Sequence, residues 1–367
     1  MTKNETNFFK FKRFGFACKW IDHKNPKKID KKFNFISTNL KNFSLLSEKN
    51  KEEKIRNIVD HNLNVLNNVF EWLYSLPVNL RMYRIGSDIF PFYTIDQYRK
   101  FYDNPEFKNY YTKRLSDLGD KSRNYFIRLS FHPGQFTILN SSNQKVLDNS
   151  LKEIEYHSDI FRFMNFPNEW HPYGIEINIH GGTKKNGIDY LINNIKKLSD
   201  ESKNWLSIEN DEYSFDIRDL LKLENVCAII LDVHHHFIFT KGSYISVSDD
   251  IITIIKNSWR SIVPELHYSI SPEEISHLCS NENFINYREL VENNYSSKFL
   301  RKHSNSVWHK KSNQWIYEFS ENFDIMIEAK NKNLASIELY NFFIQNNLPM
   351  ERQWTTSNLN ERNFISS

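Results

Sequence analysis

VCAIILDV (226–233) is a short, almost unbroken apolar run, and HHH (234–236) follows it at once, so the run ends where metal-holding side chains begin. A run of this kind reads as a strand buried on both faces, as in a parallel sheet covered by its crossover helices. Working outward, seven more runs have the same character: RFGFAC (13–18), MYRIG (82–86), FIRLSF (126–131), IEINI (175–179), LSIE (206–209), the stretch through VPELHYS (263–269) and FDIMIEA (323–329). Between them lie segments such as EEKIRNIVDHNLNVLNNVFEWLYSL (52–76), whose apolar residues return at helical spacing. Eight strand–helix units point to a closed barrel rather than an open, doubly wound sheet. The expected fold is therefore α/β: one TIM-like (β/α)8 barrel over residues 1–350, with 351–367 as a C-terminal tail.

Composition agrees with one large globular domain. The chain has 367 residues, a charged fraction of 25% and a high aromatic share of 15%. That length is normal for a single barrel domain. The formal net charge of +3 neither requires nor excludes a nucleic-acid partner, since clustering of charge is what counts. Cys18, Cys227 and Cys279 are odd in number and far apart, which argues against a disulfide framework. No CxxC pair is present, so a thiolate zinc site is not expected. The opening MTKNETNFFKFKRFGF lacks the apolar run of a signal peptide, and no stretch is long enough to span a bilayer. The expectation is a soluble intracellular monomer, in the cytoplasm or nucleoid, or in the nucleus of a eukaryote.

The ends of the runs carry the chemistry. The third is followed by His132 and the fourth by His180; the fifth ends on Glu209. The sixth carries Asp232 and then His235, the seventh holds His267, and the eighth ends near Glu328. In a barrel, that face is where active sites are built. A lone His after a strand is most often a loop residue, and a lone Asp or Glu a helix cap. Independent caps would not supply ligand-type residues at six strand ends in succession. Imidazole and carboxylate donors suit zinc, manganese or iron. So many donors could hold more than one ion, with a carboxylate bridging. Because alternate residues of a strand face opposite ways, only one or two of the three consecutive histidines can face such a site; Asp232 with His235 is the preferred pair.

Divalent ions a few ångströms apart serve in-line displacement at phosphorus. The chain has no Gly-rich phosphate loop and no GxSxG nucleophile motif, so metal-bound water is the expected agent.

In order along the chain, FHPGQF (131–136), NIHGG (178–182), SIENDE (207–212), LDVHHH (231–236), ELHYS (265–269) and FDIMIEAKNK (323–332) resemble the ultraviolet-damage endonucleases. These are barrel enzymes similar in structure to the apurinic endonuclease IV class. The resemblance runs over nearly the whole chain, and FHPGQF and MIEAKNK in series are its specific signals. It implies up to three divalent metals, manganese first, with zinc, magnesium or cobalt as alternatives. It also implies a damaged double-stranded DNA substrate, nicked immediately 5′ of the lesion to leave a 3′-hydroxyl and a 5′-phosphate. Carried over by motif, His132, His180 and Glu209 would hold one metal. Glu209, Asp232, His267 and Glu328 would hold a second, bridged by Glu209. His235 would share a third with His303 or His277; His303 is preferred because it follows basic residues. That choice places an insertion between His267 and His303. Glu209, Glu265 and His267 would form the catalytic set.

The resemblance also implies that Gln135 and Phe136 fill the space left by a flipped-out dinucleotide. The competing reading is that Phe136 is core. Arg84 and Ser87, at the end of the second run, are candidate phosphate contacts. In KFLRKHSNSVWHKK (298–311), Arg301, Lys302 and Trp308 are candidates for phosphate binding and base stacking. Two positions depart from the family's pattern. Ile95 stands where a His is usual. Glu265-Leu266-His267 replaces Lys-x-His, whose lysine is often carboxylated; Glu265 would supply the same negative charge on a shorter arm. These departures keep open a lesion-binding homologue with reduced or lost cleavage. A metal-dependent barrel isomerase or oxidase is the third reading.

Overall fold

A computed structural model describes residues 7–353. Eight strands close into an all-parallel barrel in chain order: β1 (Phe14–Ala17), β2 (Met82–Ile85), β3 (Arg128–Phe131), β4 (Glu176–His180), β5 (Leu206–Glu209), β6 (Ala228–Asp232), β7 (Glu265–Tyr268) and β8 (Asp324–Ile327). Each lies within the apolar run assigned to it or overruns it by one residue, and β1 and β8 pair from Phe14↔Ile325 to Phe16↔Ile327 to shut the barrel.

The runs look continuous because both strand faces are buried, yet the two faces differ in kind. Phe14, Phe16, Tyr83, Ile85, Leu129, Phe131, Ile177, Ile179, Ile208, Leu231, Leu266, Ile325 and Ile327 belong to the main apolar core. That core includes residues of the surrounding helices, such as Val59, Leu63, Leu66 and Phe70 of the helix Glu48–Tyr74. The residues that alternate with them face the barrel interior. They include Arg84, Arg128, Ser130, Glu176, Asn178, Ser207, Glu209, Asp232, Glu265, His267 and Asp324, all buried. Ala17, Met82 and Met326 form a small apolar patch there. Gly15 belongs to the same level: a Cβ on it would lie 2.5 Å from Met82 Cγ.

The floor of the barrel is ionic. Asp324 accepts from Arg13 N (3.1 Å), Arg128 Nη1 (2.8 Å) and Arg352 Nη2 (2.7 Å). Burial alone would raise the Asp324 pKa, but Arg352, Arg128 and Arg13 together hold it below the ordinary carboxylate value. Arg352 also donates to the carbonyls of Phe9, Phe11 and Phe323. Two residues of the expected tail thus touch the barrel: Arg352 closes the floor and Glu351 bridges to Phe11. Residues 354–367 of the expected tail lie outside the described residues. Among the described residues no helix is long and apolar enough to cross a membrane.

Candidate metal centre

Strand register brings the donors to one level. His180 pairs with Glu209 across β4 and β5, and Asp232 pairs with His267 across β6 and β7. Two groups result, each with its ligand atoms within 4.8 Å of one another: His132, His180 and Glu209; and Glu209, Asp232, His267 and Glu328. Glu209 belongs to both. Its Oε2 lies 3.2 Å from His132 Nε2, and its Oε1 lies 3.0 Å from His267 Nδ1 and 3.2 Å from His235 Nδ1. His267 Nδ1 is also 3.6 Å from Glu328 Oε1.

The donors fit a divalent ion. Atoms bound at about 2.0–2.2 Å around one ion stand roughly 3–4 Å apart, which matches this spacing. Glu209 Oε1, Asp232 Oδ2, His180 Nδ1 and His267 Nδ1 are buried without a hydrogen-bond partner. Leaving such groups unsatisfied is costly, and a metal would satisfy them. All donors are nitrogen or oxygen; the three cysteines are free and belong to neither group.

Asp232 shows how the local fold frees a carboxylate oxygen for its donor group. It caps the helix Val233–Phe239, its Oδ1 accepting from His235 N at 2.7 Å, which leaves Oδ2 for the site. Asn210 fixes it further: its amide Oδ1 accepts from Asp232 N (2.8 Å), and its Nδ2 donates to Asp232 O (3.0 Å). The three histidines are thus helical rather than strand residues, and the two-residue periodicity used to sort them does not apply. His235 turns to Glu209, His234 lies 5.6 Å from the His303 ring, and His236 Nδ1 sits 2.6 Å from Asp216 Oδ1, away from the ligand groups.

Charge inside the site is strongly coupled. Burial opposes ionisation of Glu209, but His267, His180 and His132 outweigh it and hold its carboxyl well below the usual range. Glu328 is likewise held low, by Arg84 and His267 against burial. Asp232 is pushed up to about 7 by burial, with Glu209 and Glu328 adding to the effect. His267 is raised well above the ordinary imidazole value because Glu209 outweighs burial, and His235 because Asp232 and Glu209 do. His180 is pushed down to about 4 by burial.

Several expected residues sit differently. His303 is near the site, its ring 6.3 Å from His235, with Nδ1 2.6 Å from Ser269 Oγ. His277 is exposed and bonded to Glu274 O. No group of three or more donors among the described residues contains His235 or His303. Gln135 is exposed and Phe136 is 82% exposed, so Phe136 is not core. Arg84 is buried inside the barrel, with Nη1 2.5 Å from Glu328 Oε1 and Nη2 2.7 Å from His267 Nε2. Ser87 Oγ meets His157 Nε2 at 2.9 Å. Trp308 is half-buried, packs against both apolar clusters and donates through Nε1 to Ser271 O (3.0 Å). Arg301 is half-buried and Lys302 exposed. Ile95 packs against the main core.

Glu265, expected in the catalytic set, has no exposed surface. Its Oε1 lies 3.4 Å from His267 Nε2, and its Oε2 lies 3.8 Å from Arg128 Nε. It lies one level below the two donor groups. Burial would raise its pKa, but His267 and Arg128 hold it low.

Sequence reasoning missed what lies beneath the strand ends. Asn178 Nδ2 donates to Glu209 Oε2 at 2.5 Å. Glu176 groups with Glu265 and His267, and burial beside Glu265 raises its carboxyl well above the ordinary value. Both residues precede His180 at intervals of two, so the strand period marked them as inward-facing.

The chain matches relatives over most of its length. It is 29% identical over 319 residues to the UV DNA damage endonuclease of Clostridium perfringens, covering 83% of this chain and 68% of that protein. It is 28% identical over 300 residues to the UV-damage endonuclease of Schizosaccharomyces pombe, covering 78% of this chain but only 44% of that protein. The crystal structure of SacUVDE shares the fold, with a TM-score of 0.70 at 23% identity, over 92% of this chain and 99% of that one. The UV-endonuclease UvdE family model matches residues 12–353, and the chain belongs to that family.

Proposed function

We propose that this chain is a metal-dependent DNA-repair endonuclease. It hydrolyses the phosphodiester bond immediately 5′ of ultraviolet photoproducts and other lesions, leaving a 3′-hydroxyl and a 5′-phosphate. The observation that carries the reading is the pair of ligand groups joined through Glu209, within a chain of the UV-endonuclease family. Ions bound there would activate water and stabilise charge on the leaving oxygen. Imidazole and carboxylate donors without thiolate suit zinc, manganese or iron, and the family resemblance puts manganese first.

The chain's own residues divide the remaining work. His132, His180, Glu209, Asp232, His267 and Glu328 supply the donors, and His235 with His303 supplies donors for a third ion. Glu265, its Oε1 3.4 Å from His267 Nε2, puts a negative charge behind the ring whose Nδ1 faces the ligand group, as a carboxylate often does behind a metal-binding imidazole. Arg84 holds Glu328 from the opposite side. Gln135 and Phe136, free of the core, enter the duplex at the lesion, where an amide and a ring can occupy the place of displaced bases.

The test is incubation of ultraviolet-irradiated plasmid with the protein and Mn2+, alongside metal analysis. Nicks that map 5′ of photoproducts with the stated ends are expected. Tight lesion binding without nicks would instead assign a binding homologue, the reading that Ile95 and Glu265 motivate. Neither binding nor nicks would point to sugar chemistry on this barrel.

A further inference from the structure

Phe136 is not alone at the rim. Tyr213, in the loop after β5, is 62% exposed, a large ring left in solvent four residues beyond Glu209. The Arg301 guanidinium lies over it, 4.3 Å from the ring centroid. No carboxylate of the described residues lies within ion-pair distance of Arg301. Arg84, Arg128 and Arg352, by contrast, are all paired with acids.

The pair is rooted in segments that carry donors. Asp211 Oδ1 accepts from Tyr213 N (2.7 Å) and from Ser214 N, fixing the turn that presents the ring. Neighbouring Glu212 reaches back, its Oε2 3.7 Å from His235 Nε2. Arg301 precedes His303 by two residues. One arm leaves β5 and the other belongs to the β7–β8 connection, so the stack spans the exit of β6, above His234 and His235. Phe136 follows β3, two strand spacings (about 10 Å at the barrel wall) from the Tyr213 arm.

We propose that Tyr213 and Arg301 form a second DNA contact, distinct from Gln135 and Phe136, in which the Tyr213 ring holds the guanidinium ready for a backbone phosphate flanking the cleaved bond. An aromatic face under a guanidinium restricts its rotamers and leaves its N–H edge free for a phosphate's two oxygens. The contact reads no base, and Tyr213 acts through Arg301. The inference rests on the DNA-endonuclease reading above.

The full-length chain tests it through four variants: Tyr213→Ala, Tyr213→Phe, Arg301→Ala and the Tyr213→Ala/Arg301→Ala double. Thermal melts and metal content check that each is folded. Binding of a fluorescent duplex is followed against salt concentration, and nicking is followed for KM and kcat. Arg301→Ala is expected to weaken binding about tenfold and lower the salt slope by about one phosphate's worth. Tyr213→Ala should reproduce most of that loss, Tyr213→Phe should restore it, and the double should lose little more than Arg301→Ala. The losses should fall in KM rather than kcat. Unchanged affinity and salt slope in Tyr213→Ala, or strictly additive losses, would overturn the proposal. A wild-type chain that neither binds nor nicks DNA would overturn the endonuclease reading itself, which separates the two failures.

Discussion

At the scale of single residues, the site is a competition between protons and metal. Asp232, with a carboxyl pushed up to about 7, and His267 and His235, held protonated by neighbouring carboxylates, must each lose a proton to become ligands. Glu209 and Glu328, held low, are already ionised. Metal affinity must therefore rise with pH through neutrality and fall as the medium is acidified. Titrating metal-stripped protein with Mn2+ between pH 6 and 8 should show about tenfold tighter binding per pH unit for each proton displaced, with matching proton release. An affinity independent of pH would contradict the assigned donors. That these side chains gather at the strand ends was legible in sequence, because strand ends fall where apolar runs stop. That Arg84, Ser87 and Trp308 bond to Glu328, His157 and Ser271 was not legible, because those partners are remote in sequence. A basic or aromatic residue at a strand end does not reveal that its valence is already satisfied.

At the scale of elements, the loops after the strands determine how well donors converge. Gly182, two residues beyond His180, has φ +86, and a Cβ there would lie 2.2 Å from Asn140 Oδ1. That oxygen accepts from Thr183 N at 2.7 Å, while Asn140 Nδ2 donates to Thr183 O, so the β3 and β4 exits are clamped together. Gly182→Ala should cost about 1–3 kcal/mol and weaken metal binding at the His132–His180–Glu209 group. Gly134→Ala, where nothing lies within 4 Å of the added carbon, should change stability by less than about 0.5 kcal/mol. Urea denaturation of the two variants decides this. The strands were readable because each run is short, nearly continuous in apolar residues and set between helix-patterned segments. The helical setting of His234–His236 was not, because Asp232 ends a strand and caps a helix with the same side chain. Only the cap geometry shows where one period gives way to the other.

At the scale of the whole molecule, the barrel interior is layered by charge: donors above, Glu176 and Glu265 below them, and the Asp324 floor beneath. The floor joins the N-terminal segment, β3, β8 and Arg352 through one carboxylate. Asp324→Asn would leave buried guanidiniums without their counter-charge and should destabilise the chain by on the order of 3–5 kcal/mol. It should leave Mn2+ binding by the folded fraction intact; urea midpoints and metal titration read the two effects separately. The barrel was legible from eight runs, but its polar interior was not. A run such as FDIMIEA reads as continuous until the fold shows that Asp324, Met326 and Glu328 line the lumen while Ile325 and Ile327 meet the helices.

The β7–β8 connection has its own small apolar cluster of Ile275, Ile285, Tyr287, Leu290 and Leu300, packed on Phe237 and Ile238 of the helix that carries His235. This cluster packs beside the segment that carries His303, whose own Nδ1 meets Ser269 just beyond β7. Substitutions within it can widen or narrow that corner of the site while the donors on β3, β4, β5 and β8 keep their places. The chain thus has one corner whose packing can vary separately from the two donor groups joined through Glu209.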